Sequence, residues 1–243
     1  MLILLAFLLP LVSSANSTPA FPGDREFESR EYASAIAAYE NHLQIPTDSC
    51  EVFWRLARVQ ICLGDVVEGA ESEAHYRTGE QFAQTAVRLD SANSNAHTWL
   101  AVALGSIAVF EGSKSKIRMS NEIKYHLDRA ISLNPNDDVA YSVLGSFYAA
   151  LGNISWFERQ LAKVFLGRIP DGGYEEAEAA FKRAIVIAPA VVRHHYALGL
   201  LYKSLDRDPE AAVEFECALS LPVSLARDVK DQRAAREFLV SLQ

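Results

Sequence analysis

A small–large–small pattern of apolar residues recurs after 34 residues in the last third of the chain. Its members are Ala177, Phe181 and Ala184, followed by Ala211, Phe215 and Ala218. Spacings of four and three residues place each set on one face of a helix, because residues three and four apart are neighbours on a helix surface. Pro189 lies between the two sets and ends the first helix. The pattern therefore predicts a repeated unit of packed helices.

A second pattern supplies the partner helix of each unit. Leu198-Gly199 with Tyr202 repeats the arrangement of Leu144-Gly145 with Tyr148. The glycine in each pair leaves a flat surface on which another helix can approach closely. A helix–turn–helix unit of about 34 residues is typical of the tetratricopeptide repeat, which buries its apolar face only by stacking on neighbouring units. We therefore predict an all-α, tetratricopeptide-repeat-like right-handed α-solenoid.

The array is expected to contain four to five repeat-like units, because the repeat can be followed back through the chain. The positions equivalent to Ala184 are Ala130, Ala86 and His42. Their wider spacing predicts insertions, including a flexible loop at residues 112–116 and an inserted helix in the third repeat, within residues 153–173. Residues 26–43 predict the second helix of a degenerate first repeat, and residues 224–242 predict a C-terminal capping helix.

The amino terminus has the pattern of an export signal. An apolar run from Leu2 to Val12 is followed by small residues at the positions that signal peptidase reads. We predict a signal peptide at residues 1–15, a linker at 16–25 and a helical domain at 26–243. The apolar run is too short to span a bilayer. An exported protein, periplasmic or secreted, is therefore expected; the alternative is a protein anchored in a membrane by an uncleaved leader.

Charge and cysteine content exclude several classes of protein. The net charge of −8 argues against binding to nucleic acid, which requires a basic face. Cys50 and Cys62 lie near the two ends of one predicted helix, about 18 Å apart at the helical rise. A disulfide requires Cα atoms within about 7 Å, so this pair cannot form one. The domain is therefore expected to be held together by packing alone.

No pattern in the sequence predicts catalysis. The chain contains no glycine-rich phosphate loop and no nucleophile elbow. The adjacent His194 and His195 would point about 100° apart on a helix, so they do not converge on one metal ion. His195 is expected to be a packing residue, and His75, His97 and His126 have no partner at ligand spacing. We therefore predict no catalytic, cofactor or metal site, and a protein that is not an enzyme.

The concave surface is the predicted binding site, because the first helix of each pair lines it in a repeat array. By register from Tyr141 and His195, the predicted groove positions are Trp54, Arg55, Arg58, Thr98, Val102, Ser142, Ser146, Arg193, Tyr196 and Lys203. Basic side chains at these positions predict capture of a carboxylate or an acidic peptide. The alternative is that Arg55 and Arg58 are solvated or paired within the protein.

The insertion also has two interpretations. Its large apolar residues include Trp156, Phe157, Leu161 and Phe165, with basic residues among them. A helix of this kind would plug one end of the groove or pad the superhelix. Alternatively, the aromatic and basic side chains would contact a membrane surface, a lipid or a partner.

The motifs together resemble the regulator of microtubule dynamics family. They are FWRLARV from Phe53, AHTWLAVALG from Ala96, SKSKIRMSNEIKYHLDRAISLNP, SWFERQLAKVFLG and ALSLPV. The resemblance covers residues 32–242 and implies a tetratricopeptide fold. It also implies microtubule association and mitochondrial or membrane-contact roles, as in animal members. A leader followed directly by repeats is more similar to exported bacterial relatives.

The sequence therefore predicts a non-catalytic scaffold that binds a protein or peptide partner in its concave groove. The first alternative is a lipid-binding or membrane-contact helical module, in which the helices enclose an apolar cavity. The second is a microtubule-associated protein, which requires that the chain is not exported.

Overall fold

The structure, a computed structural model, describes residues 21–154 and 169–242. Within these ranges the chain forms α-helices and one short 3-10 segment, Pro46–Asp48, and no strand. The helices are α1 (Asp24–Glu28), α2 (Tyr32–His42), α3 (Ser49–Gly64), α4 (Ala70–Leu89), α5 (Ser94–Glu111), α6 (Ser113–Leu133), α7 (Asp138–Gly152), α8 (Tyr174–Ile187), α9 (Val192–Ser204), α10 (Asp208–Ser220) and α11 (Ala226–Ser241).

Consecutive helices pack as pairs: α3 with α4, α5 with α6, α7 with α8, and α9 with α10. Helix α2 packs on α3, and α11 packs on α9 and α10. The prediction of an all-α, tetratricopeptide-repeat-like solenoid is confirmed. The predicted insertion helix lies outside the described residues.

The contact between the two helices within each of the last two pairs depends on the Leu-Gly positions. A Cβ atom at Gly145 would lie 2.6 Å from the ring of Phe181, and one at Gly199 would lie 2.7 Å from the ring of Phe215. Both phenylalanines are buried, as are the alanines three and four residues away on the same helix faces. The predicted close approach of the helices at these glycines is therefore confirmed.

Two local predictions differ from the structure. Residues 112–116 form no flexible loop, because α6 begins at Ser113. Gly112 has a φ of 94°, so a single residue in the left-handed region reverses the chain between α5 and α6. Residues 26–43 do not form one helix either. The chain breaks between α1 and α2, where Arg30 adopts a φ of 64°.

The helical domain also begins before the predicted boundary at residue 26. Helix α1 begins at Asp24, inside the predicted linker. Asp24 bonds to side chains of α2 and α3, and the Phe21 ring packs on His42 with their centroids 4.7 Å apart. These residues are therefore part of the folded unit.

The three cysteines are free thiols, and helix geometry had excluded a disulfide between Cys50 and Cys62. Cys50 and Cys62 both lie within α3. Burial raises the pKa of the Cys62 thiol to about 12. The apolar core, which excludes water from this thiol, therefore also keeps it in its unreactive neutral form.

Candidate functional site

A cavity of about 880 Å³ opens between the first helices of three successive pairs, α5, α7 and α9. The loop between α3 and α4, side chains of α4, α6 and α8, the residues after α7 and the beginning of α11 complete its wall. Apolar side chains form much of its surface, and three at its rim remain exposed: Val109 (66%), Phe110 (42%) and Leu200 (43%). A concave apolar cavity of this size is typical of a ligand-binding site.

Five of the ten predicted groove residues line this cavity. They are Val102, Ser142, Ser146, Arg193 and Tyr196. Gly105, which the register did not select, lies on the same wall, and a Cβ atom there would meet no atom within 4 Å. The space above Gly105 is therefore part of the cavity rather than of the core.

Three other predicted groove residues are occupied elsewhere. Thr98 is only 1% exposed and donates a hydrogen bond of 2.5 Å to Asp137. Trp54 is buried, and its indole N–H donates to Glu51. The Lys203 ammonium lies over the ring of Phe238, 4.6 Å from its centroid. None of the three lines the cavity.

Arg55 and Arg58 form an ion-pair cluster with Asp24 outside the cavity. Asp24 accepts hydrogen bonds from Arg55 Nε (3.0 Å) and Arg58 Nη2 (2.8 Å). It also accepts one from the Tyr39 hydroxyl (2.7 Å). Burial by itself would raise the pKa of Asp24, but these hydrogen bonds and the two positive charges hold it below its ordinary value. Both arginines are therefore paired within the protein, which was the alternative to their binding a ligand in the groove.

Aromatic rings complete this cluster. The Arg55 guanidinium lies 4.0 Å from the centroid of the Phe21 ring, and that of Arg58 lies 3.7 Å from the centroid of Phe27. Such stacking stabilises a cation that burial has partly separated from water. The cluster therefore fixes α1 on α3 and leaves neither arginine free to meet a ligand in the cavity.

Arg193 is the predicted groove cation that does line the cavity. Among the residues that the structure describes, no carboxylate lies within 4 Å of its guanidinium. Its charge nevertheless acts on Asp138 and Asp231 and on the Cys62 thiol. Arg193 therefore lies on the cavity wall, within electrostatic range of charged or titratable groups on α3, α7 and α11, and its guanidinium can donate to a further group.

The histidines form pairs that their sequence spacing did not reveal. His97 and His126, from α5 and α6, are both buried, and their Nδ1 atoms are 2.7 Å apart. His194, rather than the predicted His195, is the fully buried member of its pair and bonds to Asp138. His195 bonds to Glu214 instead. Within the described ranges no group of three or more possible metal ligands occurs.

Burial of the His97–His126 pair should make stability depend on pH. His97 Nε2 donates to the carbonyl of Ser91, so its Nδ1 accepts from His126, and a further proton would set two N–H groups against each other. Burial lowers the pKa of both rings, that of His126 to about 4. Between pH 7 and pH 5 the unfolded chain takes up protons that the folded chain does not. We expect a loss of about 1–2 kcal/mol over this range.

Urea unfolding of His126→Gln at the two pH values checks this expectation. The variant should show a smaller loss on acidification than the parent, whereas His75→Gln, which replaces a histidine bonded to Gln60, should keep the parent's loss. Comparison of the variants cancels the opposite contribution of His195, whose pKa is raised by its hydrogen bond to Glu214. Equal losses in the parent and in His126→Gln would contradict the assignment.

Two further predictions concern membranes. No helix in residues 21–154 or 169–242 combines the length and apolar character that crossing a bilayer requires. The predicted lipid or partner contacts Trp156, Phe157, Leu161 and Phe165 lie outside the described residues.

Stacked helix pairs around a concave cavity define the class of tetratricopeptide-repeat-like proteins. The crystal structure of TTC0263, a tetratricopeptide-repeat protein of Thermus thermophilus, superposes with a TM-score of 0.65 and 20% identity. The match covers 90% of this chain and 95% of that chain. At this identity the similarity shows the fold alone.

The family follows from the sequence. The family model described as regulator of microtubule dynamics protein 1-3 matches residues 23–243, so the chain belongs to this family. Regulator of microtubule dynamics protein 2 of Homo sapiens is 28% identical over 205 residues, which are 84% of this chain and 50% of that protein. Protein 1 of Bos taurus is 29% identical over 196 residues, 79% of this chain and 62% of that protein. The chain thus spans about half the length of the human relative.

Proposed function

We propose that the protein is a non-catalytic scaffold that binds a protein or peptide partner in the cavity lined by α5, α7 and α9. The cavity is the observation that carries the proposal. Its apolar wall and its exposed rim residues, Val109, Phe110 and Leu200, suit the apolar side chains of a partner segment. Repeat arrays of this class offer a concave surface for binding, which supports the same conclusion.

The charge of Arg193 on the cavity wall indicates what else the partner carries. A hydrogen bond from its guanidinium to a carboxylate would be charge-assisted and therefore stronger than one between neutral groups. A carboxylate on the partner segment would complete this arrangement. The finer proposal is therefore a segment that places apolar residues on the wall and an acidic group near Arg193.

Photo-crosslinking in the producing cells tests the proposal. A photoreactive amino acid at Val102 should trap a discrete protein adduct, which mass spectrometry identifies. Gly105→Trp should reduce that adduct about tenfold, because the indole would occupy open cavity space. Val213→Trp, on the exposed surface of α10, is the matched control and should leave the adduct unchanged. An adduct that persists in Gly105→Trp, or none above that from a probe at Val213, would refute the proposal.

The apolar wall also supports a second candidate, a lipid in the same cavity. Native mass spectrometry of the protein purified from cells separates the two. Retained phospholipid that Gly105→Trp removes would favour lipid binding, whereas a mass equal to that of the chain alone favours the scaffold.

The names of the relatives refer to regulation of microtubule dynamics. For this chain it is a proposal that depends on the compartment. Our preferred proposal remains export by a cleaved leader, and sequencing the amino terminus of the mature protein tests it. A protein that retains residues 1–15 and fractionates with the cytosol would favour the microtubule role.

A further inference from the structure

The beginning of α11 contacts the first helices of the chain. Arg227 lies 3.4 Å from the carboxylate of Asp65, at the end of α3. The Lys230 ammonium donates to the backbone carbonyl of Asp65 at 3.1 Å. The backbone N–H of Ala226 donates to the hydroxyl of Tyr32, on α2, at 3.4 Å. These bonds join segments that are more than 160 residues apart, since Lys230 is separated from Asp65 by 165 positions.

Apolar contacts accompany these bonds. Leu225 and Ala226 pack against the cluster of buried residues formed by α1, α2 and α3. The other half of α11 belongs to the last helix pair, where Phe238 meets Phe215 edge to face, with centroids 4.9 Å apart. Helix α11 therefore packs along the last helix pair, whereas it contacts the first helices only through its beginning.

The bonds of Arg227 are divided between two carboxylates. Its guanidinium lies 3.4 Å from Asp65 and 3.5 Å from Asp231. Both distances exceed the roughly 2.8 Å of a strong charge-assisted hydrogen bond. Neither pair is therefore formed at full strength while α11 lies against α3.

Because Arg227 is shared in this way, Asp231 is left with an unsatisfied carboxylate oxygen. It is 5% exposed, and its Oδ2 atom is buried with no hydrogen-bond partner among the described residues. Burial raises the pKa of Asp231, although Arg227 and Arg193 oppose the effect. An unpaired buried carboxylate oxygen is costly, so the contact of α11 with α3 carries an energetic penalty that a closer Arg227–Asp231 pair would relieve.

We propose that the start of α11 is a reversible clasp that joins the last helix pair to the first helices. In the closed state Arg227 and Lys230 hold Asp65. In the open state α3 separates from α11, and Arg227 turns fully to Asp231, its neighbour one helical turn away.

The clasp also bears on the cavity. Asp65, Arg193 and Arg227 all line it, so opening the clasp removes part of the cavity wall and widens the entrance for a partner. This regulatory consequence rests on the proposed function, whereas the opening itself does not.

Hydrogen–deuterium exchange of the full chain without a partner tests the clasp, because opening exposes amides on both sides of the contact. Asp65→Asn removes the negative charge that pairs with Arg227 but keeps an oxygen that can accept from the Tyr76 hydroxyl, so exchange in residues 62–69 and 225–231 should accelerate about tenfold. Asp231→Asn removes the competing carboxylate and the buried unpaired charge. It should slow exchange in the same segments.

One lysine variant and one arginine variant complete the experiment. Lys230→Ala should accelerate exchange in the same direction as Asp65→Asn. Arg233→Ala, an exposed position on the same helix, is the matched control and should leave exchange at the parent's rate. Unchanged exchange in Asp65→Asn and Lys230→Ala, or acceleration in Asp231→Asn, would overturn the clasp. Because no partner is present, such a failure would leave the proposed function standing.

Discussion

Asp24→Ala should lower the free energy of unfolding by about 3–5 kcal/mol, because it leaves the largely buried Arg58 without a carboxylate and Arg55 with only the more exposed Glu51. The side chains of Arg55 and Arg58 are only 11% and 18% exposed, and Asp24 bonds to both. The substitution also removes the acceptor of the Tyr39 hydroxyl, which is buried. Urea unfolding followed by circular dichroism measures the loss.

Asp128→Ala is the matched control for this substitution. Asp128 forms an ion pair with Lys124 at 2.7 Å, but its side chain is 58% exposed. Water can therefore replace the lost partner, and the expected loss is at most about 1 kcal/mol. If both variants lose the same free energy of unfolding, the Asp24 cluster is solvated in solution. Arg55 and Arg58 would then again be candidates for groove residues.

The Asp24 cluster also explains why part of the groove could not be predicted from the sequence. Register places Arg55 and Arg58 on the exposed side of α3, and the same register selected Val102, Ser142 and Arg193, which line the cavity. A periodic pattern describes one helix at a time, however. It does not reveal that a short helix before the repeats brings a carboxylate to these arginines.

The same reason applies to the other features that the sequence left hidden. His97 and His126 are 29 residues apart on different helices. The Asp65–Arg227 contact joins opposite ends of the chain. Each depends on how helices are placed in space, whereas the buried alanines and phenylalanines of the repeats depend on spacing within one helix. The fold was therefore predictable, whereas only half of the predicted groove residues line the cavity, and they form a small part of its wall.

Gly145→Ala should have the second largest effect, a loss of about 2–3 kcal/mol. Alanine is normally the better helix former, so a gain of about 1 kcal/mol would be expected from helix propensity alone. At Gly145 the new methyl group would lie 2.6 Å from the ring of Phe181. Because that ring is only 2% exposed and lies against α7, either the ring or the two helices must shift to admit the methyl group.

Gly105→Ala separates the effect of helix propensity from that of the steric contact. It makes the same change in α5, where a Cβ atom meets nothing within 4 Å. It should raise the stability by about 0.5–1 kcal/mol. Combining Gly145→Ala with Phe181→Leu should recover part of the loss, because the smaller side chain leaves room for the methyl group. If instead Gly145→Ala is as stable as Gly105→Ala, α7 and α8 do not meet at the Leu-Gly position. The repeat register, from which the concave face and its cavity follow, would then be incorrect.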